Sequence, residues 1–156
     1  MIEIQSLAAL REQIGQEIAV SDWFEVTQER ITQFAEATED RQWIHVDAAR
    51  AAVESPFKTT IAQGFLTLSL VSVLAWRSMT LGGIRLAINY GVNRVRFVSP
   101  VPAGSRIRGR FAPVAVDEVG NGVQVTWGVT IQREGGERPC CIAEWVMRYY
   151  PEDSNA

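Results

Sequence analysis

The 156-residue chain sets 15 Lys and Arg against 18 Asp and Glu, a formal charge of -3, with 47% apolar and 21% charged residues. That balance suits one compact domain, 1–156, with its own core, and excludes disordered and collagen-like classes. With no positive excess there is no footprint for a nucleic-acid backbone, so no nucleic-acid partner is expected.

In chain order, a short amphipathic helix is predicted over Ser6 to Ile14, followed by an extended segment, EIAVSDWFEVT, with Ile18, Val20, Trp23 and Phe24 as apolar contacts. Thr27 can cap a helix over 28–38: its hydroxyl can bond an early backbone N–H, and Glu29 suits the positive end of the dipole. Ile31, Phe34, Ala35 and Thr38 then fall on one buried face. The stretch EDRQWIHVD holds the chain's only histidine, His45. A further short helix, DAARAAVES, stops before Pro56, because a residue preceding proline resists the helical region. After the loop PFKTTIAQG, a segment apolar nearly all round predicts a helix buried on most faces, from about Gln63 to Met79.

The period then changes. IRLAINYGVNRVRFVSP, RIRGRFAPVAVDEVG, VQVTWGVTIQREG and CCIAEWVMRYYP alternate or are rich in β-branched and aromatic residues, with Pro- and Gly-rich turns between them. Four consecutive strands predict an antiparallel meander, and a long sheet must wrap the one greasy helix to bury it. The expected architecture is α+β, a curved sheet around a central helix. The start and the tail PEDSNA are expected to be loose ends.

No apolar run reaches the roughly 18 residues that span a bilayer, and the N-terminal segment lacks a basic region and a small-residue cleavage site. Neither a membrane partner nor a secretory signal is expected. Cys140 and Cys141 are adjacent, where bridging would strain the intervening peptide, so they read as reduced buried thiols of a cytoplasmic protein. One histidine and two neighbouring thiols make no zinc set, so no metal is expected.

Two features carry chemistry. Asp40 lies at a helix C-terminal end, where the dipole disfavours a carboxylate, five positions before His45. The pair fits an acid–base site, but on these residues alone the ordinary reading, a surface aspartate with a histidine tucked against Trp43, comes first. Second, a loop ending at Gln63-Gly64 opens the apolar helix. Its unpaired N–H groups suit an anion or a carbonyl oxygen, and glycine permits close approach; an ordinary helix start packed on the sheet is the other reading. The two features can serve one reaction if carboxylate and imidazole hold a water while the Gly64 N–H polarises a carbonyl.

The pattern Phe34…Asp40-x-x-x-x-His45…Ala51, followed by Ile61-Ala62-Gln63-Gly64-Phe65-Leu66-Thr67-Leu68-Ser69 and later NYGVNRVRFVSPVPAGSRIR, resembles the MaoC-like dehydratases. That group includes the (R)-specific enoyl-CoA hydratases and the nodulation protein N-like proteins. The resemblance covers about residues 15 to 150. It implies a hot-dog fold, a homodimer paired through edge strands, and reversible syn hydration of a trans-2-enoyl-CoA to an (R)-3-hydroxyacyl-CoA. No cofactor is implied, since coenzyme A belongs to the acyl-CoA substrate. By position, Asp40 and His45 match the catalytic pair, Gly64 the glycine whose N–H binds the thioester oxygen, and Ser72 a serine often found near the site. The chain departs from the family's Asp-x-Asn-Pro-x-His in having Arg41-Gln42-Trp43-Ile44 between the pair, so Trp43 can reshape the acyl pocket and desolvate Asp40. Gln63 stands where many members have histidine. Arg94 and Arg96 could meet coenzyme A phosphates, or form a solvated face.

Rival readings are weaker on the residues. A hot-dog thioesterase usually carries a carboxylate on or beside the central helix, and residues 63 to 79 contain no Asp or Glu. Ser69 and Ser72 have no second histidine to activate them as nucleophiles. A non-catalytic acyl-binding subunit would be expected to lack the acid–base pair, which is present here.

Overall fold

The computed structural model describes residues 1–152. It begins with β1 (Ile2–Ile4), α1 (Leu7–Arg11), β2 (Ala19–Val20), β3 (Phe24–Val26), α2 (Gln28–Thr38), α3 (Trp43–Val46) and α4 (Ala48–Glu54). The central rod follows as α5 (Gly64–Ser69) and α6 (Val71–Ser78), and then β4 (Met79–Leu81), β5 (Ile84–Phe97), β6 (Ser105–Val119), β7 (Gly122–Arg133) and β8 (Cys141–Pro151).

Alternation decides what the sheet buries, because successive strand side chains point to opposite faces. On β7 the inward set is Val125, Trp127, Val129 and Ile131; on β8 it is Cys141, Ala143, Trp145, Met147 and Tyr149. Against these surfaces the rod buries Leu66, Leu70, Val71, Leu74 and Ala75. Gly109 on β6 permits the close approach: a β-carbon there would lie 2.7 Å from the Phe111 ring and 3.2 Å from the Leu74 β-carbon. The result is the expected α+β hot-dog, a curved antiparallel sheet around a buried helix.

The rod keeps its expected bounds, capped at Gln63 and Met79, and two details differ from expectation. The rod is interrupted at Leu70, which stays right-handed with φ -72 and ψ -11. Ser69 Oγ donates to the Phe65 carbonyl at 2.7 Å, a back-bond that loosens and bends a helix at that point. The rod ends at Ser78 because Met79 turns extended (φ -148, ψ 152) and enters β4. The N-terminal segment is not loose: β1 pairs in parallel with β4, and Ile4 is buried. Of the tail, Pro151 closes β8 and Glu152 N–H donates to the Gly83 carbonyl at 3.0 Å; the remainder lies outside the described residues.

The sheet is also not a simple meander of four. Strands β6, β7 and β8 run consecutively, but β5 lies beyond β8 in the order β2-β6-β7-β8-β5. The connection from β5 to β6 contains Pro100 and Pro102 and cannot close a tight hairpin. It docks on the segment before the rod, with Ala62 N–H donating to the Val101 carbonyl at 2.8 Å. Among the described residues β5 pairs with β8 alone, so its other edge is open. Among the described residues no helix is long and apolar enough to cross a membrane.

Burial pushes the Tyr149 phenol from 10.0 up to about 12, against a smaller opposing effect of the hydrogen bond from Trp127 Nε1. The Cys141 thiol rises from 9.0 to about 11, mainly through burial and further through Cys140. Both groups hold their protons more tightly folded than unfolded. Their contribution to stability is therefore full below pH 9 and is lost as pH rises through 12. Urea midpoints measured from pH 8 upward should fall through that window, and Tyr149→Phe should flatten the upper part of the decline.

Candidate active site

The site is assembled on short elements held by hydrogen bonds. Thr27 caps α2 as expected, its Oγ1 accepting from Arg30 N–H at 3.2 Å. At the other end Glu39 adopts a left-handed conformation, φ 60, and turns the chain away from the helix axis. Arg41 folds back to pair with Glu36 at 2.6 Å. The chain then makes the single turn α3, which carries His45. Asp47 ends that turn and starts the next helix, with its Oδ1 accepting from Arg50 N–H at 2.9 Å.

His45 is 8% exposed, and its Nδ1 lies 2.7 Å from the Ile61 carbonyl oxygen. A carbonyl can only accept, so in the neutral ring Nδ1 carries the proton and Nε2 keeps a lone pair. That is the tautomer required of a base. The backbone is pinned alongside, with Ile61 N–H donating to the Ile44 carbonyl at 3.1 Å. His45, Ile61, Gly64, Thr67, Phe97 and Cys140 are among the walls of one cleft of about 270 Å³. Gly64 is the first residue of the rod, so its N–H has no acceptor within the helix. A β-carbon at this position would sit 2.7 Å from a Phe97 ring carbon. Glycine is required because an aromatic ring lies against its α-carbon. Burial raises the Cys140 thiol, although Arg133 opposes it, so the thiol in this wall stays protonated near neutral pH.

The other expected residues are distributed differently. Asp40 is exposed and is not part of the cleft wall. Trp43 does not desolvate it within this chain: its half-buried indole lies under the Arg50 guanidinium, 4.5 Å from ring centroid to Cζ. Gln63 is buried, but its side chain points behind the cleft, with Nε2 3.4 Å from the Ile31 carbonyl and Oε1 unpartnered. Ser72 lies eight residues along the rod, about 12 Å at helical rise. It lines a separate groove of about 360 Å³ against Asn89, Tyr90 and Val92. Arg94 is exposed and pairs with Glu144 at 3.5 Å, while Arg96 donates to the Val95 carbonyl at 2.7 Å. Neither arginine borders the cleft.

Sequence reading missed Ile61, Thr67 and Phe97 in the cleft, and Gln28 and Thr60 behind it. No periodicity marks a backbone carbonyl or a ring that folds back from a distant strand. Thr60 offered one signal, a polar residue directly before a buried apolar run.

Comparison with known proteins agrees with the fold. The family described as "MaoC like domain" matches residues 9–134. The chain is 49% identical over 150 residues to 3-hydroxyacyl-thioester dehydratase Z of Mycobacterium tuberculosis, covering 96% of this chain and 99% of that one. It is 46% identical over 152 residues to Nodulation protein N of Rhizobium leguminosarum bv. viciae, covering 95% and 94%. Among solved structures, the unliganded R-hydratase PhaJ1 from Pseudomonas aeruginosa superposes with a TM-score of 0.70 at 25% identity, covering 94% of this chain and 86% of that one. With the family matched over most of its length and with relatives of nearly half-identical sequence, the chain belongs to the MaoC-like dehydratases.

Proposed function

We propose that this protein is an (R)-specific enoyl-CoA hydratase/dehydratase. In this reading it adds water in the syn sense to a trans-2-enoyl-CoA and removes it from the (R)-3-hydroxyacyl-CoA. It is a hydro-lyase of the hydratase/dehydratase type, as family membership and the dehydratase relative support. One observation carries the reaction: a base in a fixed tautomer and the amino end of a buried helix share one cleft.

Chemically, His45 Nε2 takes a proton from water as the water oxygen bonds to C3. The C2–C3 π electrons move toward the thioester carbonyl, whose oxygen gains charge and leans on the Gly64 N–H. The His45 Nε2–H then returns its proton to C2 on the same face, which restores the neutral imidazole, and no net proton is gained or lost. Asp40 is assigned to hold the water with His45 from the solvent-facing turn that leads into α3. No cofactor takes part in this scheme, the coenzyme A being carried by the substrate. Arg94 and Arg96 remain exposed cations available to its phosphates.

The acyl chain has apolar walls to follow. Along the rod and β5 lie the Ser72 groove and a cavity of about 390 Å³ walled by Ala75, Met79, Trp127 and Trp145. A cytoplasmic setting fits the two free buried thiols.

The assay follows loss of the conjugated enoyl absorbance on crotonyl-CoA and longer enoyl-CoAs, with chiral analysis of the product. An (R)-3-hydroxyacyl product supports the reading. Release of free thiol without hydration would replace it with thioester cleavage.

We further propose a homodimer. The open strand β5 exposes Leu86, Ile88, Tyr90 and Val92, at 42–57% of their surface, and the rod exposes Trp76 at 65%. So long an apolar edge is otherwise an aggregation hazard. Sedimentation equilibrium should return twice the 17.4 kDa chain mass. Ile88→Lys with Val92→Lys should give monomers; an unchanged mass would place the contact elsewhere.

A further inference from the structure

Behind the cleft lies a closed ring of hydrogen bonds that returns to the residue where it starts. Gln28, the first residue of α2, donates from Nε2 to the His45 backbone carbonyl at 2.8 Å. Its Oε1 accepts from the Thr60 hydroxyl. Thr60 is joined by its peptide bond to Ile61, and the Ile61 carbonyl accepts from the His45 ring at 2.7 Å. One amide thus ties the main chain that carries the imidazole to the segment that orients it. The second proton of the amide goes to Thr32 Oγ1 at 3.2 Å, and the Thr32 hydroxyl donates to the Gln28 carbonyl at 3.0 Å. Every donor and acceptor of the side chain is used. The amide cannot flip, since its oxygen would then face the His45 carbonyl oxygen.

Ordinary helix physics leaves this turn in need of outside support. An isolated four-residue turn is far too short to be stable alone, and its last carbonyls have no helical donor. The His45 carbonyl is one of these, and Gln28 supplies the missing donor. Thr60 is 2% exposed, so its hydroxyl needs a protein acceptor, which Gln28 also supplies. A side chain serving only to begin α2 would need neither contact, because Thr27 already caps that helix.

We propose that Gln28 is a positioning residue for the reaction: through His45 O and Thr60 it sets the Nδ1–H···O=C61 hydrogen bond, and with it the tautomer and aim of Nε2. This rests on the reading of His45 as the base. Gln28 touches no substrate in this scheme and acts only through the imidazole. Without its amide, the His45 carbonyl and the Thr60 hydroxyl lose their partner together and α3 can shift relative to Ile61. The ring then samples the alternative tautomer, in which Nε2 is protonated and cannot accept a proton.

His45 is the only histidine in the chain, so its ring nitrogens give the only imidazole signals in a long-range ¹⁵N–¹H NMR spectrum. The wild type should show one tautomer, protonated at Nδ1. In Gln28→Leu the two nitrogen shifts should converge toward a mixture, and kcat for enoyl-CoA hydration should fall roughly ten- to a hundred-fold with KM within about twofold. Thr60→Val should move both readouts in the same direction, and Thr60→Ser, which keeps the hydroxyl, should restore them. If Gln28→Leu does not fold, the Thr60 pair decides by the same criteria. A single Nδ1–H tautomer and wild-type kcat in Thr60→Val would overturn the inference, as would a loss in Thr60→Ser equal to that in Thr60→Val. The two readings fail separately. A wild type that hydrates no enoyl-CoA but loses its tautomer in Thr60→Val refutes the function and keeps the positioning role. Hydration that depends on His45 but is indifferent to Thr60 and Gln28 refutes only the positioning role.

Discussion

His45→Gln should lower kcat for hydration of crotonyl-CoA by on the order of 10²–10⁴-fold, the usual contribution of a positioned acid–base group. Glutamine is the informative choice because its amide N–H can still donate to the Ile61 carbonyl, the partner of Nδ1 at 2.7 Å. Fold and local packing are retained and only the basic nitrogen is removed. His45→Ala should lose as much activity, plus whatever the unpaired Ile61 carbonyl costs in stability, which the melting temperature reads separately. Asp40→Asn should fall by a similar factor if the carboxylate holds the water. Asp40 is exposed in this chain, so this variant is the sharper test of the pair. Wild-type kcat in Asp40→Asn would leave His45 as the only acid–base residue. If the two act as a unit, the double variant should be no slower than the slower single variant.

The division between what could be read in the sequence and what could not follows the range of the forces involved. Thr27 as a cap, the α2 face of Ile31 and Ala35, and the inward alternation of Val125, Trp127 and Val129 are set by neighbours a few residues away, so composition and period reveal them. The place of β5 beyond β8 is not local. It depends on a proline-bearing connection docking on the Ala62 region, which no strand pattern encodes. The site divides in the same way. His45 and Gly64 were both recognisable by residue type and setting, and the fold brings them into one cleft. Desolvation of Asp40 by Trp43 was inferred from proximity along the chain. The left-handed Glu39 and the Arg50–Trp43 stack break that inference, because a separation of three positions does not decide which side chain an indole meets. Ser72 was placed near the site by resemblance, but two helical turns carry it into the next groove. Gln28 had no signal at all, since its partners are a main-chain carbonyl and a hydroxyl 32 residues away.

Deleting one backbone N–H should be nearly as costly as deleting the base, and at Gly64 the deletion is feasible. Proline lacks the donor and is well tolerated at the first helical position, which Gly64 occupies. The preceding Gln63 already has φ -60 and ψ 142, the extended region that a following proline demands. The obstacle is steric: any β-carbon at 64 meets the Phe97 ring at 2.7 Å. The experiment therefore belongs in a Phe97→Ala background, which removes the ring atoms that a β-carbon at 64 would meet. Gly64→Ala should there remain close to the background rate, because it keeps the N–H. Gly64→Pro should fall by on the order of 10²–10³ in kcat, the loss typical of one oxyanion donor. KM should change much less, since the charge on the thioester oxygen develops in the transition state rather than on binding. Equal rates for the two would mean that the rod's amino end only packs against Phe97, and that the developing charge is stabilised by some other group in the cleft.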